Sequence, residues 1–276
     1  MTGLSPLKKQ KIDQIRMPER PFTIQNHTFC FLPGDRSPGN SAGSGLLAGM
    51  QVFLKKFGPL YYFLLTVFAP VLGSAKCKNK LKSLLARHDR TKIILNLGSG
   101  PILLNNRADI INIDIFAFNE VDIVADAFDL PIKDNSVDVI INGAMLEHVA
   151  NPEKIIHEMQ RILKIEGEFL CFLPFMQPFH AAPDDFHRWT IEGVRHCFQL
   201  FRQTTVEIGA GPTSGMLWVL QEWLAILFSF NSKTIHDVIL LLLMVLTAPI
   251  KLIDLMLIHF PNAEKIASGF FITGRK

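Results

Sequence analysis

Residues 92–101 read "KIILNLGSGP", an apolar run that stops at two glycines one position apart. Ile93, Ile94 and Leu95 have the pattern of a buried strand. Gly98 and Gly100 carry no Cβ, so the chain can bend sharply there and leave bare peptide for a bulky ligand. In an open parallel sheet, ligands sit beyond the carboxyl ends of the strands, and the turn after the first strand is where a nucleotide-like ligand approaches the backbone. The stretch therefore predicts both the first strand of an α/β sheet and the place where a ligand binds.

Working outward, "DIINIDI" (109–115), "VDIVAD" (121–126), "VDVIING" (137–143), "EFLCFL" (168–173), "TTVEIGAG" (204–211) and "SGFFITGRK" (268–276) read as further strands. Between them "NPEKIIHEMQRILK" (151–164) reads as a helix. Asn151 is placed to cap it, Pro152 suits its first turn, Ile155, Ile156, Met159, Ile162 and Leu163 form one stripe, and Gly167 helps to close it. A second helix is expected over "TIEGVRHCFQLF" (190–201). Strands alternating with helices imply a mostly parallel, doubly wound α/β sheet. Asp114 then closes the second strand, where a carboxylate accepts both hydroxyl hydrogens of a ribose. Asp126 ends the third, where it can accept from an adenine amino group, with Ala127 and Phe128 alongside. This pattern suits an adenosine.

With these residues in order, the segment from about 92 to 201 resembles a class I S-adenosylmethionine-dependent methyltransferase of the type 11 methyltransferase-like kind. "LNLGSG", "NIDI" and "ADAFDLPIKDNSVDVIINGAMLEHVANPEKIIHEMQRILKIEGEFLCFLP" carry the likeness. A glycine turn alone would be weak, because dinucleotide enzymes share it. The resemblance implies a Rossmann-like seven-stranded sheet and S-adenosyl-L-methionine as cofactor. It assigns Asn96, Leu97, Gly98, Ser99, Gly100, Asp114, Ile115, Asp126, Ala127, Asn142 and Gly143 to cofactor binding, with Glu147 and His148 in the turn beyond. The family carries an acid where Asn96 stands and a third glycine where Ile102 stands, so a different contact network is expected around the methionine ammonium. Only thirteen positions separate Gly100 from Asp114, too few for a full helix plus a strand. The first helix is expected to be short or missing.

The loop "PFMQPFHAAPDDFHRWT" (174–190) follows the fifth strand and concentrates proton-transfer groups where a substrate would enter. His180 or His187 is a candidate base, with Asp184 and His148 as further catalytic candidates. Asp185, Arg188 and Trp189 are candidate substrate contacts, Arg188 for an anionic group. The structural alternative has Asp184 or Asp185 capping the next helix and Arg188 in an ion pair. No metal site is indicated, since Cys30, Cys77, Cys171 and Cys197 form no C-x-x-C pair, and no disulfide framework is suggested either. A reducing cytoplasmic setting fits.

The chain has 276 residues, of which 49% are hydrophobic, 22 are Phe and only 19% are charged, so part of its apolar surface is expected to meet lipid or a partner. Two apolar stretches, "MLWVLQEWLAILFSF" (216–230) and "IHDVILLLLMVLTAPIKLIDLMLI" (235–258), fall between the last two strands. The first helix would be roughly 22 Å long, short of the ~30 Å hydrocarbon core. The second is interrupted by Asp237, Pro249, Lys251 and Asp254. A hairpin lying in a membrane surface fits better than a span, with a soluble dimer interface as the alternative. A similar stretch at 57–73 reads as a helical lid or interface element, and the basic residues from Lys76 to Lys92 read as a solvated helix face that also attracts anionic lipid. No aromatic residues interleave with those charges, which argues against nucleic acid.

Three parts are thus expected: an N-terminal extension (1–90), a cofactor-binding core (91–211 plus 268–276) and the apolar insert (212–267). The expected activity is methyl transfer to a hydrophobic or membrane-held small molecule, peripheral or monotopic on the membrane, with self-association open. The alternatives are a soluble small-molecule methyltransferase and a non-catalytic assembly factor of the same fold.

Overall fold

The computed structural model describes residues 4–34, 64, 66–101, 104, 107–181 and 183–276. Residues 57–63 and 65 of the apolar stretch at 57–73, and with them the greater part of the expected lid's first half, lie outside the described residues. The sheet comprises β1 (Thr23–Gln25), β2 (Thr28–Cys30), β3 (Ile94–Leu97), β4 (Ile111–Asp114), β5 (Ile123–Val124), β6 (Val137–Gly143), β7 (Leu163–Pro174), β8 (Arg202–Ala210) and β9 (Gly269–Arg275), in the order β1-β2-β5-β4-β3-β6-β7-β9-β8. Strands β2, β5, β4, β3, β6 and β7 run parallel, and β9 is antiparallel to both β7 and β8. The strand order reverses between β4 and β6, at the carboxyl end of β3, where the glycine turn lies.

The sheet has nine strands instead of the expected seven. The two additional ones form a hairpin from the N-terminal extension, turning at Asn26 and His27 with φ of 48° and 72°, the left-handed geometry that a two-residue hairpin turn needs. Phe29 and Cys30 then pair in parallel with Ile123 and Val124 and extend the edge. Other boundaries also shift. The strand expected at 121–126 is only Ile123–Val124. Asn151 sits at the helix cap position without a side-chain capping bond. Gly167 lies inside β7, where a Cβ would come within 2.8 Å of the Lys164 carbonyl, so it serves a tight bend in the strand and not the helix end.

Helix α1 (Pro6–Ile15) starts at Ser5, whose hydroxyl accepts from Lys8 N, and buries Ile12 and Ile15 completely. Its lysines reach the amino ends of the strands. Lys8 Nζ bonds Asp122 Oδ2 at 2.7 Å, while Lys11 Nζ meets Asp109 Oδ2 at 3.3 Å and the Lys92 carbonyl at 2.6 Å. Arg107 closes on Asp109 from the other side. Burial pushes the Asp122 carboxyl up despite Lys8. Asp109 is also buried, yet Arg107 and Lys11 outweigh that cost and hold it below its usual value. Helix α2 (Ala75–Arg87) carries the basic residues; Lys76 pairs with Glu207 and Arg87 with Glu168. Helix α3 (Pro152–Ile162) lays Ile155, Ile156, Met159 and Ile162 on the sheet, each fully buried and each contributing about 1.5–3 kcal/mol by area. Helix α4 (Ile191–Cys197) is capped by Thr190, not by Asp184 or Asp185.

The insert leaves the carboxyl end of β8. Helix α5 (Pro212–Phe228) and helix α6 (Lys233–Thr247) pack on each other, joined by the Gln221–Thr247 bond at 2.6 Å. The single helix expected over 235–258 is broken. After Pro249 come a 3-10 turn (Ile250–Ile253) and the short helix α7 (Asp254–Leu257), because proline has no N–H to continue the ladder. Asp254 then folds back onto the start of α5. Its Oδ1 accepts from Thr213 N at 2.7 Å, and its Oδ2 accepts from Ser214 N at 2.8 Å and Ser214 Oγ at 2.6 Å. Gly211 leaves the room, since a Cβ there would lie 2.3 Å from Asp254 Cγ. Asp254→Ala strips a buried helix start of its acceptor, and a loss of about 2–4 kcal/mol is expected in denaturant unfolding. A loss below ~1 kcal/mol would show that water replaces the carboxylate.

Candidate functional site

Gly98 and Gly100 both adopt positive φ, 67° and 53°, so the turn after β3 uses the conformation that only glycine reaches without strain. The two glycines serve different neighbours. A Cβ on Gly98 would stand 2.4 Å from Met145 Cγ, whereas a Cβ on Gly100 would meet nothing within 4 Å among the described residues. Ser99 is buried, and the N–H groups of Gly98 and Ser99 both donate to the Ile113 carbonyl, which ties the turn to β4.

Asp114 ends β4 beside this turn. Its Oδ2 accepts from Gly100 N at 2.8 Å and its Oδ1 from Phe116 N at 3.0 Å. Burial pushes its carboxyl up from the ordinary value of 3.8, against the opposing pull of the Phe116, Gly100 and Ile115 N–H groups. Asp126 lies two residues past β5 and accepts from Phe128 N at 2.9 Å. Ile115 and Phe128 are large apolar residues left exposed next to these carboxylates in the chain, and Ala127 packs on the core edge. Between Gly100 and β4, no helix forms among the described residues.

Asn96 bonds sideways, its amide donating to Asn112 Oδ1 at 3.1 Å on the neighbouring strand. Asn142, near the end of β6, is fully buried. Its amide donates to the Leu97 carbonyl at 2.9 Å, while its Oδ1 has no partner among the described residues. Gly143 is exposed at the strand end, and Ala144 follows at φ 58°, a strained conformation for a residue with a Cβ. A turn left bare over Gly100 by the described residues, a carboxylate beside it and an orphaned buried oxygen next to Leu97 fit a nucleoside-bearing cofactor.

The 174–190 loop folds over the turn that follows β6. The Glu147 carbonyl accepts from Phe186 N and His187 N and holds the loop in place. Within the loop, Arg188 grips Asp185 with two bonds, at 2.5 and 2.6 Å, and directs its remaining N–H groups to the carbonyls of Gln177, Pro178 and His187. The Arg188 guanidinium holds the Asp185 carboxyl down at about 2. Trp189 is buried in the core, and His187 Nε2 stands 3.4 Å from the Ala150 carbonyl. Asp184 participates through its backbone, whose oxygen meets His148 Nδ1 at 2.6 Å.

His148 and His180 are the two candidates that the fold brings together, with ring centroids 5.4 Å apart. They meet over Glu147, which the sequence reading placed in the turn without a role. Glu147 is fully buried and neither of its oxygens has a hydrogen-bond partner among the described residues. Burial works against charge on His180, but Glu147, the Pro178 carbonyl and Asp185 outweigh it, and its pKa shifts upward. The insert closes this side of the site: the Trp218 ring of α5 lies 5.3 Å from that of His180, tilted by 31°, and a Cβ on Gly215 would come within 2.9 Å of the Met176 carbonyl.

Residues 103–171 match the family model described as a methyltransferase domain. The chain is similar to 2-phytyl-1,4-naphtoquinone methyltransferase of Synechocystis sp., with 38% identity over 69 residues, which is 25% of this chain and 29% of that protein. Solved structures with related shapes include a SAM-dependent methyltransferase of Thermotoga maritima (14% identity, TM-score 0.48, covering 82% of this chain and 98% of that one). Another is Haemonchus contortus phosphoethanolamine N-methyltransferase 2 in complex with phosphomonomethylethanolamine and S-adenosylhomocysteine (16% identity, TM-score 0.43, covering 72% and 52%). The family-model match over 103–171 covers a quarter of the chain and places a methyltransferase-domain sequence on the strands and turn already described.

Proposed function

We propose that the chain methylates a hydrophobic, membrane-held small molecule, using S-adenosylmethionine. Asp114 would hold the ribose hydroxyls, Asp126 the adenine edge, and the peptide around Gly100 together with Asn142 the methionine end. The cofactor supplies an electrophilic methyl group on a sulfonium. The protein's part is alignment and exclusion of water, which suits a loop and an insert folded over the carboxyl end of the sheet.

The observation that carries the acceptor class is the insert. Trp223, Ile226, Leu227 and Phe230 recur at helical spacing along α5 and the turn after it, and all are exposed. Ile235, Val238, Leu242 and Leu246 do the same on α6. Exposed apolar stripes on a hairpin that touches the site loop support entry of the acceptor from lipid. No single helix among the described residues is long and apolar enough to cross a membrane, and Lys233–Thr247 with Ile250–Leu257 forms a pair bent by 46°. A hairpin lying in one leaflet agrees with that. The Synechocystis relative is named for a phytylated naphthoquinone, an acceptor of the same physical kind.

Incubating the purified chain with membrane lipid extract and isotopically labelled cofactor is expected to transfer label to a species that partitions into organic solvent. Label recovered only in water-soluble products would sink the acceptor class. Cofactor affinity also has a predicted pH dependence. The ribose needs an ionised Asp114, and burial raises that carboxyl above 3.8, so affinity falls with decreasing pH earlier than an ordinary aspartate would dictate. The sign for folding is opposite: a raised carboxyl contributes stability that is present below its unfolded value and lost as pH rises through its folded one. Calorimetry with S-adenosylhomocysteine from neutral pH downward, with circular dichroism to confirm the fold, separates the two.

A further inference from the structure

We propose that Glu147, His148 and His180 form a binding site for a divalent transition-metal cation at the mouth of the active site. Glu147 is 0% exposed, and among the described residues its carboxylate has no hydrogen-bond donor on either oxygen. A buried carboxylate left in that condition is costly unless a charged partner completes it. The partners facing it are two imidazole nitrogens, His148 Nε2 at 3.8 Å and His180 Nε2 at 3.9 Å from Oε1. One ligand atom from each of the three residues lies within 4.8 Å of the others.

Both rings are held from behind. His148 Nδ1 lies 2.6 Å from the Asp184 carbonyl and His180 Nδ1 lies 3.0 Å from the Pro178 carbonyl. At His148 the carbonyl bonds Nδ1–H and frees Nε2; at His180 Nδ1 also meets an Arg188 N–H, and a cation bound at Nε2 would select the tautomer that gives Nδ1–H to the Pro178 carbonyl. That is how metal-ligating histidines are oriented, with the far N–H given to a carbonyl. The Arg188 guanidinium, 3.1 Å from His180 Nδ1, works against positive charge there, and its two bonds to Asp185 offset part of that field.

Zinc bonds nitrogen and oxygen at about 2.0–2.2 Å, so tetrahedral ligands stand about 3.4 Å apart. The present separations, 3.8 and 3.9 Å from the carboxylate and at most 4.8 Å between any two of the three ligand atoms, close to that by side-chain movement alone. Two imidazoles and one carboxylate select a borderline cation such as Zn²⁺ or Co²⁺ over Mg²⁺ or Ca²⁺, and three protein ligands leave a coordination position open. The elements that carry the ligands differ: Glu147 and His148 stand on the 3-10 turn Leu146–His148 after β6, and His180 comes from the loop after β7. A bound cation would therefore pin the loop to the turn.

The test uses the tag-free full chain, stripped with chelator and titrated with ZnCl₂ by calorimetry, with no methyl donor present. One zinc per chain is expected, with Co²⁺ giving a visible d–d band at the same stoichiometry. His180→Gln and Glu147→Gln are each expected to weaken zinc binding by tenfold or more. His236→Gln, in a separate His–Glu contact on the insert, is expected to leave it unchanged. Circular dichroism shows whether Glu147→Gln folds; His180 is on a half-buried loop position and keeps the test open if it does not. Absence of saturable zinc binding, or binding that persists in His180→Gln, overturns the site and leaves the cluster as a His–Glu ion pair. Because cofactor binding is measured separately, failure here does not touch the methyltransferase reading.

Discussion

Asp114→Ala is expected to lower S-adenosylhomocysteine affinity by about two to three orders of magnitude while the chain still folds. Hydrogen bonds to an ionised acceptor are worth about 1.5–3 kcal/mol each, and a ribose offers two. Each 1.4 kcal/mol is a factor of ten. Asp114 also orders the turn, through Gly100 N and Phe116 N, so its loss loosens the peptide that the ligand would lie against. Asp114→Asn tests the charge: the amide keeps an oxygen for one N–H but loses the second acceptor, and an intermediate affinity is expected. Unchanged binding in both variants would mean that the nucleoside lies elsewhere.

The second large effect concerns the insert. Trp223 is 57% exposed and Leu246 is 72% exposed, so replacing both by aspartate disturbs little packing in the folded chain. Burying two such side chains in lipid is worth about 4 kcal/mol, and placing carboxylates there instead removes it, on the order of a thousandfold in vesicle partitioning. Flotation with liposomes of the native chain and the double variant measures this. If the native chain ignores liposomes and the double variant instead changes oligomeric state, the apolar stripes join copies of the chain and the soluble reading takes over.

Much of the core was legible because one period dominates each segment. Val137–Gly143 was read to its ends from the β-branched residues Val137, Val139, Ile140 and Ile141, and the stripe on 152–162 is buried as its spacing demands. The hairpin at 23–30 escaped because each strand has only three residues and the turn uses Asn-His, which lacks the glycine that marks such turns. The break in the insert was signalled by Pro249, yet what Asp254 does there depends on a helix start forty residues earlier. The site shows the same limit. Composition singled out Arg188, but whether a guanidinium faces a ligand or its own loop depends on carbonyl positions that a sequence does not carry. Glu147 was overlooked for the converse reason: its significance lies in the missing donors around it, and these appear only once His180 has been folded over it.

The two ends of the sheet are built to opposite rules. At the amino end the buried carboxylates of the α1 contact are answered by a lysine or arginine; at the carboxyl end Glu147 and the Asn142 amide oxygen have no hydrogen-bond partner among the described residues. The knot of Gly211, Ser214 and Asp254 sits on the second side and joins the hairpin to the frame through short, dry bonds, not through a swinging tether. A plate fastened so firmly transmits its tilt, so whatever surface it rests on fixes the height and angle at which the opening meets its cargo.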